Sequence, residues 1–288
     1  MILVVGATGT LGGIITRMLL VAGKPVRILA RPRSRHQPLA LAGADIMMGD
    51  LKNPESLYMA CSGVDTVITT ANSVLRGGED TIESVDLRGN QNLIDAARDA
   101  GVRHFILMSV LGSTLDSSDP FTRAKAETEA YLRASGMLHT IIAPNIFMEV
   151  WPAQVVGAPA LKGLPVKIIG NGWRRHAFIS IGDVAAFTIA AVDHPGAKNK
   201  TLPLGGPEAL TWRDVIHIYE WAMERAITAE FLPPGSPIPH LSEWMTGMLA
   251  AMDTFDTMLD TTELADAYGV RLTPLHEVIQ RTLEPAHA

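Results

Sequence analysis

The sequence predicts an α/β protein: a doubly wound parallel sheet, with a smaller lobe from the C-terminal part of the chain. Three observations predict it. Short apolar runs alternate with helical segments through the first half of the chain. Several runs are apolar at consecutive positions, as strands covered on both faces require. A glycine-rich turn, Gly6-Ala7-Thr8-Gly9-Thr10-Leu11-Gly12, separates the first apolar run from the first helical segment.

Residues 1–5 form the first expected strand, and residues 14–22 carry helical apolar spacing through Ile14, Ile15, Met18 and Leu19. Residues 25–30, 44–50, 65–71, 102–109 and 138–143 are the next five strands. Between them lie a short helix over 54–61 and a longer one over 81–100, closed by Gly101. Asp119 N-caps a further helix, with Pro120 at its first position; it carries Lys125 and stops at Gly136. In the second half, residues 166–169 and 177–180 look like short strands, and Asp183 caps a helix over 184–192. Thr211 opens another helix, with Asp214 three residues on in a capping-box arrangement. The stripe Leu241, Trp244, Met245, Met248, Leu249, Met252, Phe255, Met258, Leu259 has helical spacing. It is read first as core or subunit contact. The alternative is an apolar wall for a flat substrate, joined by Phe147, Met148 and Trp151.

The whole chain limits the function classes. Its 288 residues are 47% hydrophobic and 19% charged, the balance of a compact folded protein. A formal net charge of -6 argues against a broad nucleic-acid-binding face. The single cysteine, Cys61, excludes an intrachain disulfide or a multi-cysteine metal site and fits a reducing, cytoplasmic setting. No apolar run approaches the roughly 20 residues that span a bilayer. The nine histidines show no paired metal-ligand spacing, so no metal is expected.

The glycine turn carries the strongest chemical signal. Gly6, Gly9 and Gly12 follow a strand and open a helix, where small residues let the backbone approach a diphosphate and the helix N-terminus offers free N–H groups. A dinucleotide-binding (Rossmann) domain is therefore expected over residues 1–150, completed by 177–204. The lobe of 151–176 and 205–288 would bind substrate. In such folds an acid about 20 positions past the turn accepts from the ribose 2′-hydroxyl and selects NAD. Here Arg31 stands at the end of the second strand, followed by Arg33 and Arg35. A guanidinium pairs with a 2′-phosphate that a carboxylate would repel, so NADP(H) is expected over NAD(H).

The turn, Arg31, Gly49-Asp50-Leu51, the 89–97 segment Gly-Asn-Gln-Asn-Leu-Ile-Asp-Ala-Ala, Ser109 and Lys125 together resemble the atypical short-chain dehydrogenase/reductases. The nearest branch is NmrA-like, which includes quinone and triphenylmethane reductases, isoflavone-reductase-like enzymes and redox-sensing regulators. The resemblance implies that Asp50 and Leu51 lie by the adenine and that Thr70, Ala71 and Asn72 follow the coenzyme. It places Pro144, Asn145 and Phe147 at the nicotinamide and substrate. It also implies a serine after the fifth strand and a Tyr-x-x-x-Lys pair, matched here by Ser109 and by Phe121 to Lys125. Lys125 would hold the ribose, and Ser109 or a neighbouring backbone N–H would face the substrate oxygen. Phe121 departs from the pattern, because a phenyl ring donates no proton.

The expected function is hydride transfer from NADPH to a small, apolar, electron-poor molecule such as a quinone or enone, by a monomer or homodimer. A non-enzymatic NADP(H) sensor of the regulator type is the alternative. His176 ends a loop that relatives place near the active site, yet it reads as a surface histidine.

Overall fold

The computed structural model describes residues 1–74 and 78–284. In chain order the first elements are β1 (Ile2–Val5), α1 (Thr10–Val21), β2 (Val26–Ala30), α2 (Gln37–Leu41), β3 (Asp45–Met48), α3 (Pro54–Cys61) and β4 (Thr66–Thr69). Then come α4 (Arg88–Asp99), β5 (His104–Met108), α5 (Pro120–Ala134), β6 (His139–Pro144), α6 (Ala158–Leu161) and β7 (Val166–Ile169). The last are α7 (Ile181–Asp193), β8 (Lys200–Leu204), α8 (Trp212–Met223), β9 (Ala229–Leu232), α9 (Glu243–Met252), α10 (Thr262–Tyr268) and α11 (Leu275–Leu283).

Seven strands form one sheet in the order β3-β2-β1-β4-β5-β6-β8, and β1 to β6 pair in parallel. The doubly wound architecture predicted from sequence is present. From β1 the chain builds outward to β2 and β3, then returns to set β4 on the other side of β1. That reversal is a topological switch point, where ligands of open α/β sheets bind at the carboxyl ends of the strands. All residues of β1, β4 and β5 are buried, which explains their uninterrupted apolar runs.

The chain divides into two compact units: Met1–Pro144 with Val184–Pro203, and Asn145–Asp183 with the residues from Leu204 on. Residues 285–288 of the expected lobe lie outside the described residues. In the first unit Leu3, Val67, Leu93, Ile94 and Phe105 form a core in which none is exposed. The second unit has its own core around Trp151, Phe178, Trp212 and Leu249, beside the parallel pair β7-β9.

Several local expectations change. Helix α1 starts at Thr10, not 14, because Gly9 serves as its N-cap and the turn leads straight into it. The long 81–100 helix is not uniform: Thr81 caps a π-helical stretch, Ile82–Leu87, before α4 begins. Residues 177–180 make only the isolated bridge Phe147↔Ile179 instead of a strand. Helix α7 begins at Ile181, and Asp183 does not cap it; its carboxylate accepts from the Thr273 N–H and hydroxyl, both at 2.7 Å. Strand β8 gave no sequence signal, since three of its five residues are exposed.

Candidate functional site

The glycine turn joins β1 to α1 at the switch point. Gly6 has a φ of +86°, a region other residues enter only with strain, and a Cβ there would lie 2.6 Å from Thr70 Oγ1. A Cβ on Gly12 would meet the Gly6 carbonyl oxygen at 2.3 Å. Both glycines are therefore fixed by the close approach of the turn to the end of β4. Gly9 is different: its φ of -83° suits any residue, and a Cβ would stand 3.3 Å from the Gly6 oxygen. It supplies no side-chain cap, and the first turn of α1 holds no acid. The leading N–H groups and positive dipole end of α1 are thus left for an anion.

Beside the turn lies an open cleft lined by Gly6, Thr8, Arg31, Asp50, Leu51, Ala71 and Asp80, among others. Six of these seven were expected site residues. Arg31 follows β2 and Lys52 follows β3, and both reach the same carboxylate. Asp80 Oδ2 accepts from Arg31 Nη1 at 2.6 Å, and Oδ1 accepts from Lys52 Nζ at 2.8 Å. The Asp80 side chain is 9% exposed and that of Arg31 is 44% exposed. The Lys52 hydrogen bond holds the Asp80 carboxyl below the usual carboxylate range, and the same bond raises Lys52. Asp50 is occupied with backbone geometry, its carboxylate taking the Lys52 N–H at 2.8 Å. Asn72 donates to the Thr70 carbonyl at 3.4 Å, bracing the loop after β4.

Lys125 lies in a separate buried network of the first unit. Its register on α5 puts it one turn from Phe121, with Nζ 5.3 Å from the ring centroid. Nζ also lies 3.3 Å from Asp86 Oδ1 and donates to the Met108 carbonyl at 3.4 Å. Lys125 is 4% exposed, so it does not belong to a solvated helix face. Asp86 comes from the π-helical stretch and is itself fully buried; Oδ2 accepts from the Ser73 N–H and hydroxyl. Asn90 donates to the loosened carbonyls of Val85 and Asp86 at 3.0 and 3.2 Å and accepts from Thr69 Oγ1 at 2.9 Å. The π stretch is thereby tied to the end of β4.

Ser109 is 2% exposed and its hydroxyl donates a hydrogen bond to the buried Glu129 carboxylate, which also accepts from the Ser113 hydroxyl and from Arg133. The hydroxyl is thus held inside the fold, and the expectation that it faces a substrate oxygen has no support in its hydrogen bonding. Sequence reasoning missed Lys52, Asp80, Asp86 and Glu129, each a common surface residue type with no local signature.

Asn145 and Phe147 belong to the second unit, and Pro144 ends the first segment of the first unit. Asn145 Nδ2 donates to Thr257 Oγ1 at 3.2 Å, and Glu149 accepts from the Ile181 N–H at 3.0 Å. Burial pushes the Glu149 carboxyl up. The surface reading of His176 is overturned: it is fully buried, its Nδ1 meets Thr257 Oγ1 at 2.8 Å, and Phe178 and Phe255 pack edge-on against it. Of the methionine stripe, Met245, Leu249 and Met252 are core residues on α9, whereas Phe255 and Met258 lie past the helix and are exposed. No group of three or more His, Cys, Asp or Glu suited to a metal occurs among the described residues. Among them, too, no helix is long and apolar enough to cross a membrane.

A glycine turn at the switch point of a doubly wound sheet, with two cations after β2 and β3, is the arrangement of a dinucleotide-binding fold. The model of the NmrA-like family matches residues 1–284, and the chain belongs to that family. Among its relatives is an NAD(P)H azoreductase of Xenophilus azovorans, 30% identical over 267 residues, 92% of this chain and 87% of that protein. A photosystem II assembly factor of Cyanophora paradoxa is 35% identical over 220 residues, 76% of this chain and 67% of that protein. The structure of an NADPH-dependent quinone oxidoreductase from Escherichia coli, complexed with NADPH, matches with a TM-score of 0.81. At 22% identity over 99% of this chain and 100% of that one, this likeness shows the fold.

Proposed function

We propose that this protein is an NAD(P)H-dependent oxidoreductase that prefers NADPH and reduces small, apolar, electron-poor organic molecules. The observation that carries the reading is the Arg31–Lys52 cation pair in the cleft beside the glycine turn. Gly6, Gly9, Gly12 and the α1 N-terminus, with Thr8, Thr10 and Leu11 in the same turn, would hold the diphosphate. Arg31 would take the 2′-phosphate, Asp50 and Leu51 the adenine, and Thr70, Ala71 and Asn72 the path toward the nicotinamide. Lys125, fixed by Asp86, would hold the nicotinamide ribose. Pro144, at the end of β6, would border the reacting ring. When bound, NADPH supplies a hydride.

The chain's own groups then restrict the acceptor. Phe121 donates no proton, and the Ser109 hydroxyl donates its hydrogen bond to Glu129. An alkoxide from a plain ketone would lack a fixed acid, a contribution of about 10²–10⁴-fold in rate. A quinone or other conjugated acceptor spreads the added charge and takes its proton from water. The naming of relatives for azo dyes and quinones supports this class. The single buried Cys61, its thiol pushed up to about 12 by burial, fits a reducing cytoplasm. Calorimetric titration with NADPH and NADH tests the coenzyme reading: tighter NADPH binding supports it, and binding of neither overturns it.

A further inference from the structure

Asp80 is a carboxylate in the neighbourhood where a coenzyme-selecting acid works, although it comes from the wrong part of the chain. In folds of this type that acid ends the second strand, and here Arg31 holds the position. Asp80 arrives from the loop before Thr81, far along the sequence, and lines the same cleft as Gly6 and Arg31. Each of its oxygens meets a cation, Oδ2 at 2.6 Å from Arg31 Nη1 and Oδ1 at 2.8 Å from Lys52 Nζ.

We propose that Asp80 is a specificity-determining residue of the coenzyme cleft, tempering the Arg31–Lys52 pair so that a ribose 2′-hydroxyl is accepted as well as a 2′-phosphate. The proposal rests on the coenzyme reading above. Asp80 offsets part of the positive charge that Arg31 and Lys52 present to the cleft, where Asp50 supplies a second carboxylate. A guanidinium has five N–H donors and an ammonium three, so each cation keeps donors free while it holds Asp80. An incoming phosphate finds those donors but also meets the carboxylate, whose repulsion weakens its binding. A 2′-hydroxyl meets no such penalty, because it donates to the carboxylate and accepts from either cation. Asp80 therefore narrows the gap between the two coenzymes without reversing the preference set by Arg31.

The test uses adenosine 2′,5′-bisphosphate and adenosine 5′-monophosphate as probes, with calorimetric affinities for the wild-type chain, Asp80→Asn and Asp80→Glu. Asp80→Asn keeps the shape and removes the charge. It is expected to raise the bisphosphate-to-monophosphate affinity ratio by roughly tenfold, the scale of one charge-assisted contact. Asp80→Glu keeps the charge and is expected to stay near the wild-type ratio. Equal changes for both probes in Asp80→Asn would make Asp80 a structural counter-ion and overturn the proposal, as would a shift toward the monophosphate. If the wild-type chain binds neither probe, the coenzyme reading itself falls, and this inference with it. If it binds both and the ratio is unmoved in Asp80→Asn, the coenzyme reading stands and the inference alone fails.

Discussion

Lys125 and Asp86 form an ion pair sealed inside the first unit, Nζ to Oδ1 at 3.3 Å, with side chains 5% and 0% exposed. The pair joins α5 to the π-helical stretch before α4, and Ser73, in the loop after β4, closes it by donating to Asp86 Oδ2. Breaking one side of a buried pair typically costs about 3–5 kcal/mol, because the remaining charge is left uncompensated. Lys125→Met is expected to destabilise by that order in denaturant unfolding. Adding Asp86→Asn should restore much of the loss, since an asparagine oxygen still accepts from Ser73. NADPH binding by the double variant should stay weak, which separates the ribose role of Lys125 from its structural one.

Arg31→Ala is expected to weaken NADPH binding by roughly tenfold or more and to leave NADH binding little changed. A charge-assisted hydrogen bond contributes about 1.5–3 kcal/mol. Paired titrations check this. Equal losses for both coenzymes would move the 2′-phosphate contact to Arg33, Arg35 or Lys52.

Gly6 and Gly9 should fail in different ways. Gly6→Ala meets both a φ of +86° and Thr70 Oγ1 at 2.6 Å, so it is expected to lose roughly 1–3 kcal/mol of stability. Gly9→Val adopts its backbone without strain and should fold, yet its branched side chain would cover the free N–H groups of α1. Near-native unfolding with lost coenzyme binding is the expected result. Native binding by a folded Gly9→Val protein would place the diphosphate elsewhere.

His104 should make the first unit sensitive to mild acid. It is 3% exposed, and burial, reinforced by the neighbouring Lys198, pushes its pKa down to about 4. The Thr140 hydroxyl donates its hydrogen bond to the Ala197 carbonyl, so His104 Nε2 donates to Thr140 Oγ1 while Nδ1 accepts from Lys198 Nζ. An unfolded histidine titrates near 6.5. Between that value and about 4 the unfolded chain binds the extra proton, so stability falls as pH falls through the window. Buried His176 acts in the same sense, while Glu149 and Asp183, raised by burial, act oppositely. The comparison is therefore His104→Gln against the wild-type chain at each pH. The variant should lose less stability on acidification, by roughly 1 kcal/mol per pH unit. Parallel curves would remove His104 as a cause.

The parts legible in the sequence are those with local physical signatures. Consecutive apolar positions marked the fully buried strands, and glycine spacing marked the turn at β1. Asp119 and Thr211 announced their helices because each caps through a contact three residues away. The rest depends on contacts distant in the chain. Lys52 and Asp80 meet only because the sheet order brings the ends of β2 and β3 beside the loop after β4. The burial of His176 depends on Thr257 and Phe255, and Ser109 is held by a glutamate one helix away. Periodicity did not resolve the π-helical stretch from α4, since the distinction rests on Asn90 and Thr128 satisfying the carbonyls at Val85 and Asp86.

Phe121→Tyr should be unnecessary for activity toward conjugated acceptors, because no side-chain proton is needed at that step. Its rate with a quinone is expected to lie within a few-fold of wild type, roughly, well short of the 10²–10⁴-fold typical of a general acid. A large gain confined to plain ketones would show that the missing phenol sets acceptor choice.

The most direct measurement is steady-state NADPH oxidation by the purified chain against a panel of quinones, enones, azo and triphenylmethane dyes, with simple ketones as controls and NADH as the second coenzyme. The expected result is turnover of electron-poor conjugated acceptors, faster at low coenzyme with NADPH than with NADH, and little with unactivated ketones. Tight NADPH binding with no turnover of any acceptor would contradict the reductase and point to a redox sensor. Efficient, stereospecific turnover of a plain secondary alcohol would contradict the acceptor class.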